Sequence, residues 1–277
     1  MRMQNQDIDV RPIAGALGAE VHGLDLAQVM DDETFDAVHQ VLLDHGVILF
    51  RNQDITPAQQ LALAKRWGSV HLHPHIPSLP DHPGIMEIVK DVDDVHTLGG
   101  RWHTDQMFAP TPARATMLYA KEIPPAGGDT LFANLYLAYD ALSDGMKDMI
   151  GGLRTVNQYN KKKGRAAAMQ VTEPEREAET AVHPLVRPHG ETGRNALYLS
   201  YDGITRRVAG MTDAESRPLL DYLMDHATRP EFTCRFRWEP GSLALWDNRC
   251  VLHLAVNDYH GYRRVMHRIT IEGEPTH

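Results

Sequence analysis

The C-terminal third of the chain alternates in hydrophobicity with a period of two, and this pattern restricts the fold more than any other feature. Phe232, Cys234, Phe236 and Trp238 interleave with Thr233, Arg235, Arg237 and Glu239. Successive side chains of a strand point to opposite faces, so the run predicts one buried and one polar face. Ser242 to Trp246 is nearly all apolar and belongs in the middle of a core. A third run, Arg264 to Thr270, sets Arg264, Met266 and Arg268 on one face and Val265, His267 and Ile269 on the other. Many strands with few long helices predict a mainly β fold with peripheral helices, of the double-sheet jelly-roll kind.

The remaining elements are read in chain order. Val10 to Val21, broken by Gly15 and Gly18, predicts a hairpin. Asp32 to His45 carries Phe35, Val38, Leu42 and His45 at helical spacing, with Gly46 as the stop. Val47 to Phe50 follows as a buried strand. Thr56-Pro57 opens a second helix, which Gly68 closes. Ala115 to Ala120 and Thr130 to Ala133 read as strands joined across the Pro124-to-Gly128 turn. Thr212 to Glu215 is a capping box before a helix through Ala227, which Pro218 must kink or delay. With no internal repeat and no linker, residues 1–277 read as one domain. Asn160 to Thr180, with its Lys-rich and Glu-rich runs, predicts a solvated loop. A loop of this length also fits an active-site lid over 160–180, poorly ordered without substrate.

Within this frame, Trp102-His103-Thr104-Asp105 carries the clearest chemistry. In an extended segment His103 and Asp105 share a face. One imidazole and one carboxylate there, completed by the distant His253, make a facial set suited to non-haem Fe(II) with open positions. The competing reading is chance, since a His-x-Asp pattern is short and the chain has 16 His. Arg264 and Arg268 add weight: guanidinium groups on a core strand need anionic partners, and a planar fork matches a carboxylate. A solvent-facing edge strand with a basic stripe is the alternative. The cluster His71-Leu72-His73-Pro74-His75 could hold a second metal, but alternate histidines more often occupy polar loop positions.

Composition fits a soluble enzyme. The net charge of −9 argues against a broad nucleic-acid surface. Cys234 and Cys250 are the only cysteines, too few for a disulfide framework or a zinc ribbon. The polar start lacks the apolar stretch of a signal peptide, and no apolar run reaches membrane-spanning length. These features predict a cytoplasmic protein with no nucleic-acid or membrane partner, and a homo-oligomer is expected.

Several runs together resemble the taurine dioxygenase family of Fe(II)/2-oxoglutarate oxygenases, which includes alkylsulfatases and aryloxyalkanoate dioxygenases. They are Trp102-His103-Thr104-Asp105, Gly127-Gly128-Asp129-Thr130, Trp246-Asp247-Asn248-Arg249 with His253, and Arg264-Val265-Met266-His267-Arg268. Gly15 to Leu26 and Val47 to Arg51 are similar as well. The resemblance implies a double-stranded β-helix in which His103, Asp105 and His253 ligate Fe(II). It implies that 2-oxoglutarate chelates the iron and meets Thr130 and Arg264, with Arg268 near both co-substrate and substrate. His73, Gln106 and Arg268 would contact the substrate. The implied reaction uses O2 to hydroxylate a small organic anion of the alkylsulfonate, alkyl sulfate or aryloxyalkanoate type next to its heteroatom. Succinate and CO2 leave, and many such products collapse by C–S or C–O cleavage.

The chain departs from true taurine dioxygenases at Thr97-Leu98-Gly99-Gly100 and at Ile76, which lack amine-binding groups. An anionic substrate without an amine is therefore expected. Two other readings stay open on the residues alone: a metal-dependent hydrolase using the same triad to activate water, and a non-catalytic jelly-roll binding protein.

Overall fold

The computed structural model describes residues 8–73, 77–159, 179–201 and 203–276. Its centre is an eight-stranded sheet in the order β1-β2-β3-β14-β6-β16-β5-β4. These strands are β1 (Asp9–Pro12), β2 (Ala19–His22), β3 (Val47–Phe50), β4 (Ser78–Leu79), β5 (His82–Lys90), β6 (Ala115–Glu122), β14 (Leu243–Asp247) and β16 (Arg264–Ile271). Facing it is a three-stranded sheet, β13 (Thr233–Phe236), β7 (Thr130–Asn134) and β15 (Val251–Ala255), in the order β13-β7-β15. A second three-stranded sheet joins β12 (Thr205–Val208), β8 (Arg154–Gln158) and β9 (Thr180–Pro184), and a ribbon pairs β10 (Val186–Pro188) with β11 (Asn195–Leu197).

The large sheet is buried on both faces, which explains its continuous apolar strands. Its inner face gives Leu49, Leu118, Ala244, Trp246 and Met266 to a core shared with Phe132, Phe236 and Leu252 of the facing sheet. Its outer face gives Ile48, Phe50, Met117, Leu245 and Ile269 to a second core. Two helices cover that side, α1 (Asp32–His45), which buries Val38 and Leu42, and α2 (Pro57–Ala64), which buries Leu63 and Ala64. Every residue of β3 is buried, and each such aliphatic side chain contributes about 1.5–3 kcal/mol.

Local signals fix most element ends. Asp31 caps α1 by accepting from the Thr34 amide, and Gly46 ends it at φ +70°, donating to the Leu42 carbonyl. Thr56 and Gln59 form a capping box on α2. The remaining α-helices among the described residues are α3 (Leu135–Asp140), α4 (Asp144–Ile150) and α5 (Asp213–Ala227). The α5 helix begins at Asp213, directly after the N-cap Thr212 of its Thr212–Glu215 box, and runs on through Pro218.

Three expectations are corrected. α2 stops at Ala64 and not at Gly68, and tighter turns carry the chain through Trp67. β6 and β7 are strands joined across the Pro124-to-Gly128 segment as expected, and that segment carries the chain from one sheet to the other. Phe232 sits half-buried in a 3-10 turn, so the alternating strand starts at Thr233. Thr180, the last residue of the expected lid, opens β9. The rest of that loop, residues 160–178, lies outside the described residues, as do His75 and Ile76.

Candidate metal centre

His253 stands on β15 opposite Phe132 of β7, with its ring 4.7 Å from the Trp246 ring centre. The Trp102–Asp105 segment is stapled to it by two backbone hydrogen bonds. The His103 amide donates to the His253 carbonyl at 3.0 Å, and the His253 amide donates back at 2.8 Å. Extended geometry ends there: Asp105 enters a turn, and Gln106 takes φ +54°. The side chains still converge. Asp105 Oδ1 lies 3.7 Å from the Nε2 atoms of both His103 and His253.

Hydrogen bonds orient His103 and Asp105, whereas His253 Nδ1 has no partner among the described residues. The His103 Nδ1–H donates to the Arg101 carbonyl at 2.7 Å, which leaves the Nε2 lone pair toward Asp105. Burial holds the pKa of His103 below its ordinary value and that of His253 well below it, so both rings are neutral. Burial opposes ionisation of Asp105, but its surroundings, the Arg268 guanidinium first, outweigh it and hold its carboxyl well below the usual range. Two imidazole nitrogens and one carboxylate oxygen on one side of a common point suit a divalent iron.

The other carboxylate oxygen is committed elsewhere. Asp105 Oδ2 accepts from Thr116 Oγ1 at 2.6 Å and lies 2.7 Å from Arg268 Nη2. Thr116 in turn accepts from Asn248 Nδ2 at 2.9 Å, which directs its own proton at Asp105. Asn248 Oδ1 accepts from Trp246 Nε1 at 3.1 Å and from the Asp105 amide at 3.3 Å, and the Asn248 carbonyl accepts from Thr104 Oγ1 at 2.6 Å. Asn248 thus locks the Asp105 loop to the turn that leads into the His253 strand.

A polar pocket follows along the inner face. Thr130 pairs with Ala255, one inward-facing position along from the Phe132–His253 pair. Its hydroxyl accepts from Trp238 Nε1 at 2.9 Å and keeps its own proton to give. The Arg264 guanidinium lies 5.8 Å from the Trp238 ring centre. It is buried, and its Nε and Nη2 have no hydrogen-bond partner among the described residues. Gly128 sits against it at φ +71°, where a Cβ would stand 3.4 Å from Arg264 Cδ and 3.3 Å from Tyr259. A buried guanidinium with orphaned donors fits a carboxylate ligand.

A family model described as "Taurine catabolism dioxygenase TauD, TfdA family" matches residues 9–270. The chain belongs to this family. An α-ketoglutarate-dependent sulfate ester dioxygenase of Pseudomonas putida is 33% identical, covering 97% of this chain and 90% of that protein. An (S)-phenoxypropionate/α-ketoglutarate dioxygenase of Sphingobium herbicidovorans is 30% identical, covering 96% of each chain. The crystal structure of a taurine dioxygenase from Burkholderia xenovorans superposes with a TM-score of 0.85 at 37% identity, over 97% of this chain and 90% of that one.

The taurine dioxygenase framework accounts for most of the residues singled out in the sequence. His103, Asp105 and His253 converge, and Arg268 reaches them, its Nη2 engaged by Asp105 while its Nε has no partner among the described residues. Arg264 and Thr130 share the polar pocket through Trp238. His73 is half-buried with its ring 6.3 Å from that of His71, and among the described residues this stretch forms no metal-type cluster. Gly99 does more than leave room: at φ +73° its Cβ would lie 3.0 Å from the His103 ring.

A second grouping, His189, Asp247 and Cys250, is a brace rather than a metal site. Asp247 is gripped by Arg249 and by His189 Nε2, while His189 Nδ1 accepts from the Glu191 and Thr192 amides. No lone pair of that histidine remains for a cation. Sequence reasoning missed Thr116, Trp238 and Asn248 as parts of the site. For Asn248 the signal was its place within Trp246-Asp247-Asn248-Arg249; Thr116 gave none, being a β-branched residue in an ordinary strand.

Proposed function

We propose that the chain is an Fe(II)- and 2-oxoglutarate-dependent dioxygenase that hydroxylates a small organic anion next to its heteroatom. The observation that carries this reading is the buried Arg264, with two donors orphaned, beside Trp238 and Thr130 of the sheet that carries His253 of the His103–Asp105–His253 set. A hydrolase would leave that arginine without a purpose.

His103, Asp105 and His253 would hold the iron. Arg268 and Thr116 occupy Asp105 Oδ2, so Oδ1 is the oxygen offered to the metal. Arg264 and the Thr130 hydroxyl hold the distal carboxylate of 2-oxoglutarate. When bound, the iron and 2-oxoglutarate together supply O2 activation, with succinate and CO2 released and oxygen delivered to a substrate C–H bond. Trp238, Trp246 and Phe132, all buried, wall the site and exclude water.

The substrate lies on the side of His73, Gln106 and Arg268. Arg268 Nε is buried without a partner among the described residues and can meet an anionic head group. Thr97 is turned toward the Tyr259 hydroxyl at 3.2 Å, and Leu98 adds hydrocarbon, which supports an alkylsulfonate, alkyl sulfate or aryloxyalkanoate over an amine. The same reading takes the facing sheets as a double-stranded β-helix, residues 1–277 as one domain and 160–180 as a lid. It also makes the protein a cytoplasmic homo-oligomer; no helix among the described residues is long and apolar enough to cross a membrane.

The test is anaerobic addition of Fe(II) and 2-oxoglutarate, followed by O2 with a panel of organic anions. A weak visible metal-to-ligand band should form, and succinate should appear with an accepted substrate. Asp105→Ala should lose both; full succinate production by that variant would sink the assignment.

A further inference from the structure

Lys90, at the end of β5, is a buried cation that the triad and Arg264 do not account for. It is 4% exposed, and its Nζ has no hydrogen-bond partner among the described residues. Burying an ammonium without a counter-ion is costly, and such a group is kept only where something compensates it. Antiparallel register sets Lys90 directly opposite Arg264 of β16. Directly opposed residues project from the same face, so both cations enter the inner layer beside Met266. Their shared neighbour is Tyr259, which is 2% exposed. Lys90 Nζ stands 4.5 Å from its ring centre, and Tyr259 and the Arg264 side chain both flank Gly128.

The carboxylates nearby in sequence or register do not neutralise this pair. Asp91 and Glu122 are both held by Arg263. Asp258 binds the Gly128 amide and Arg235. Asp129, whose charge does reach Arg264, gives Oδ2 to Arg235 at 2.5 Å. A tyrosine ring face offers a buried ammonium only partial compensation. Two like charges held opposite one another in a dry layer leave a place for an anion from outside.

We infer that Lys90 is a further co-substrate-binding residue, supplying with Arg264 a second positive charge to the distal carboxylate of 2-oxoglutarate. This inference rests on the proposed function. Its consequence is selectivity: a 2-oxo acid lacking the distal carboxylate gains nothing from Lys90, whereas 2-oxoglutarate does.

The experiment titrates the Fe(II)-loaded protein anaerobically with 2-oxoglutarate and with 2-oxopentanoate, which has the same chain length without the distal carboxylate. Lys90→Met should weaken 2-oxoglutarate binding by about ten- to a hundredfold, the scale of one charge-assisted hydrogen bond. It should leave 2-oxopentanoate binding unchanged, and Lys90→Gln, which retains a donor, should lose less. The metal-free Lys90→Met protein should melt higher than the unaltered one, since an unpaired buried charge is gone, and succinate should raise its melting temperature less. If Lys90→Met binds both acids as the unaltered protein does, while Arg264→Met loses 2-oxoglutarate, the inference falls and the proposed function stands. A lower melting temperature in Lys90→Met also overturns it, making Lys90 a packing cation on Tyr259. If the unaltered protein binds both acids equally, the pocket reading and the proposed function fail together.

Discussion

At the scale of single residues, the site depends on which proton goes where. Asp105 can offer one oxygen to a metal only if the other is kept occupied, and Thr116 does this because Asn248 leaves its hydroxyl no other direction. Asn248 is fully buried and joins β14, the Asp105 loop and β6 through its side-chain amide alone. Partners that orient a metal ligand are typically worth ten- to a hundredfold in metal affinity. Asn248→Ala and Thr116→Val should each weaken Mn(II) or Fe(II) binding by about that factor, read by calorimetry on protein whose circular dichroism is unchanged. Thr116→Ser, which keeps the hydroxyl, should recover most of the affinity. Metal binding by Asn248→Ala equal to that of the unaltered protein would show the clamp to be irrelevant to the ligand.

At the scale of elements, ends are set locally and pairings are not. The α5 helix starts where its capping box says it should, with Thr212 Oγ1 accepting from the Glu215 amide. Thr212→Ala should therefore cost about 1 kcal/mol in urea unfolding. Pro218 within the same helix removes one backbone donor and crowds the preceding turn, so Pro218→Ala should shift stability the other way. If both substitutions were neutral, α5 would be held by the packing of Leu220 and Leu223 alone. The β6–β7 connection shows the opposite case. A Pro-Gly-rich segment joins two apolar strands without saying whether they pair; β6 pairs with β14 and β16, and β7 with β13 and β15. That exchange between sheets puts Thr130 in the facing layer, where it meets Trp238.

At the scale of the whole molecule, buried histidines make stability depend on pH. His183 on β9 is 1% exposed, and its ring touches the Met107 and Ala109 carbonyls and Thr276. Burial pushes its pKa down to about 4, although the carbonyls oppose the shift. An unfolded histidine takes up its proton near pH ~6.5. Between those values the unfolded chain binds a proton that the folded one refuses, so stability is full above about pH 6.5 and falls as pH drops toward about 4. His71, His103, His253 and His267, all lowered by burial, add slopes of the same sign. Urea midpoints measured from pH 7 to pH 4 should fall less steeply in His183→Gln. Parallel curves for the two proteins would rule out His183 as a contributor.

The sequence by itself marked many of the elements and the candidate ligands. Period-two alternation marks a strand wherever it lies, a cap acts within one turn, and the His103–Asp105 pair carries its chemistry in three consecutive residues. The same local reasoning found Arg264 and Arg268 on one face, because facing is fixed by parity along a strand. Only the tertiary structure decided what those faces meet. Asp105 engages Arg268 through Nη2, Asn248 and Thr116 bind to each other across 132 residues of chain, and Lys90 stands opposite Arg264 through a register that neither strand specifies alone. Hydrogen bonds and charges act over a few ångströms of space whatever the separation along the chain, and that separation in space exists only once the two sheets have closed on each other.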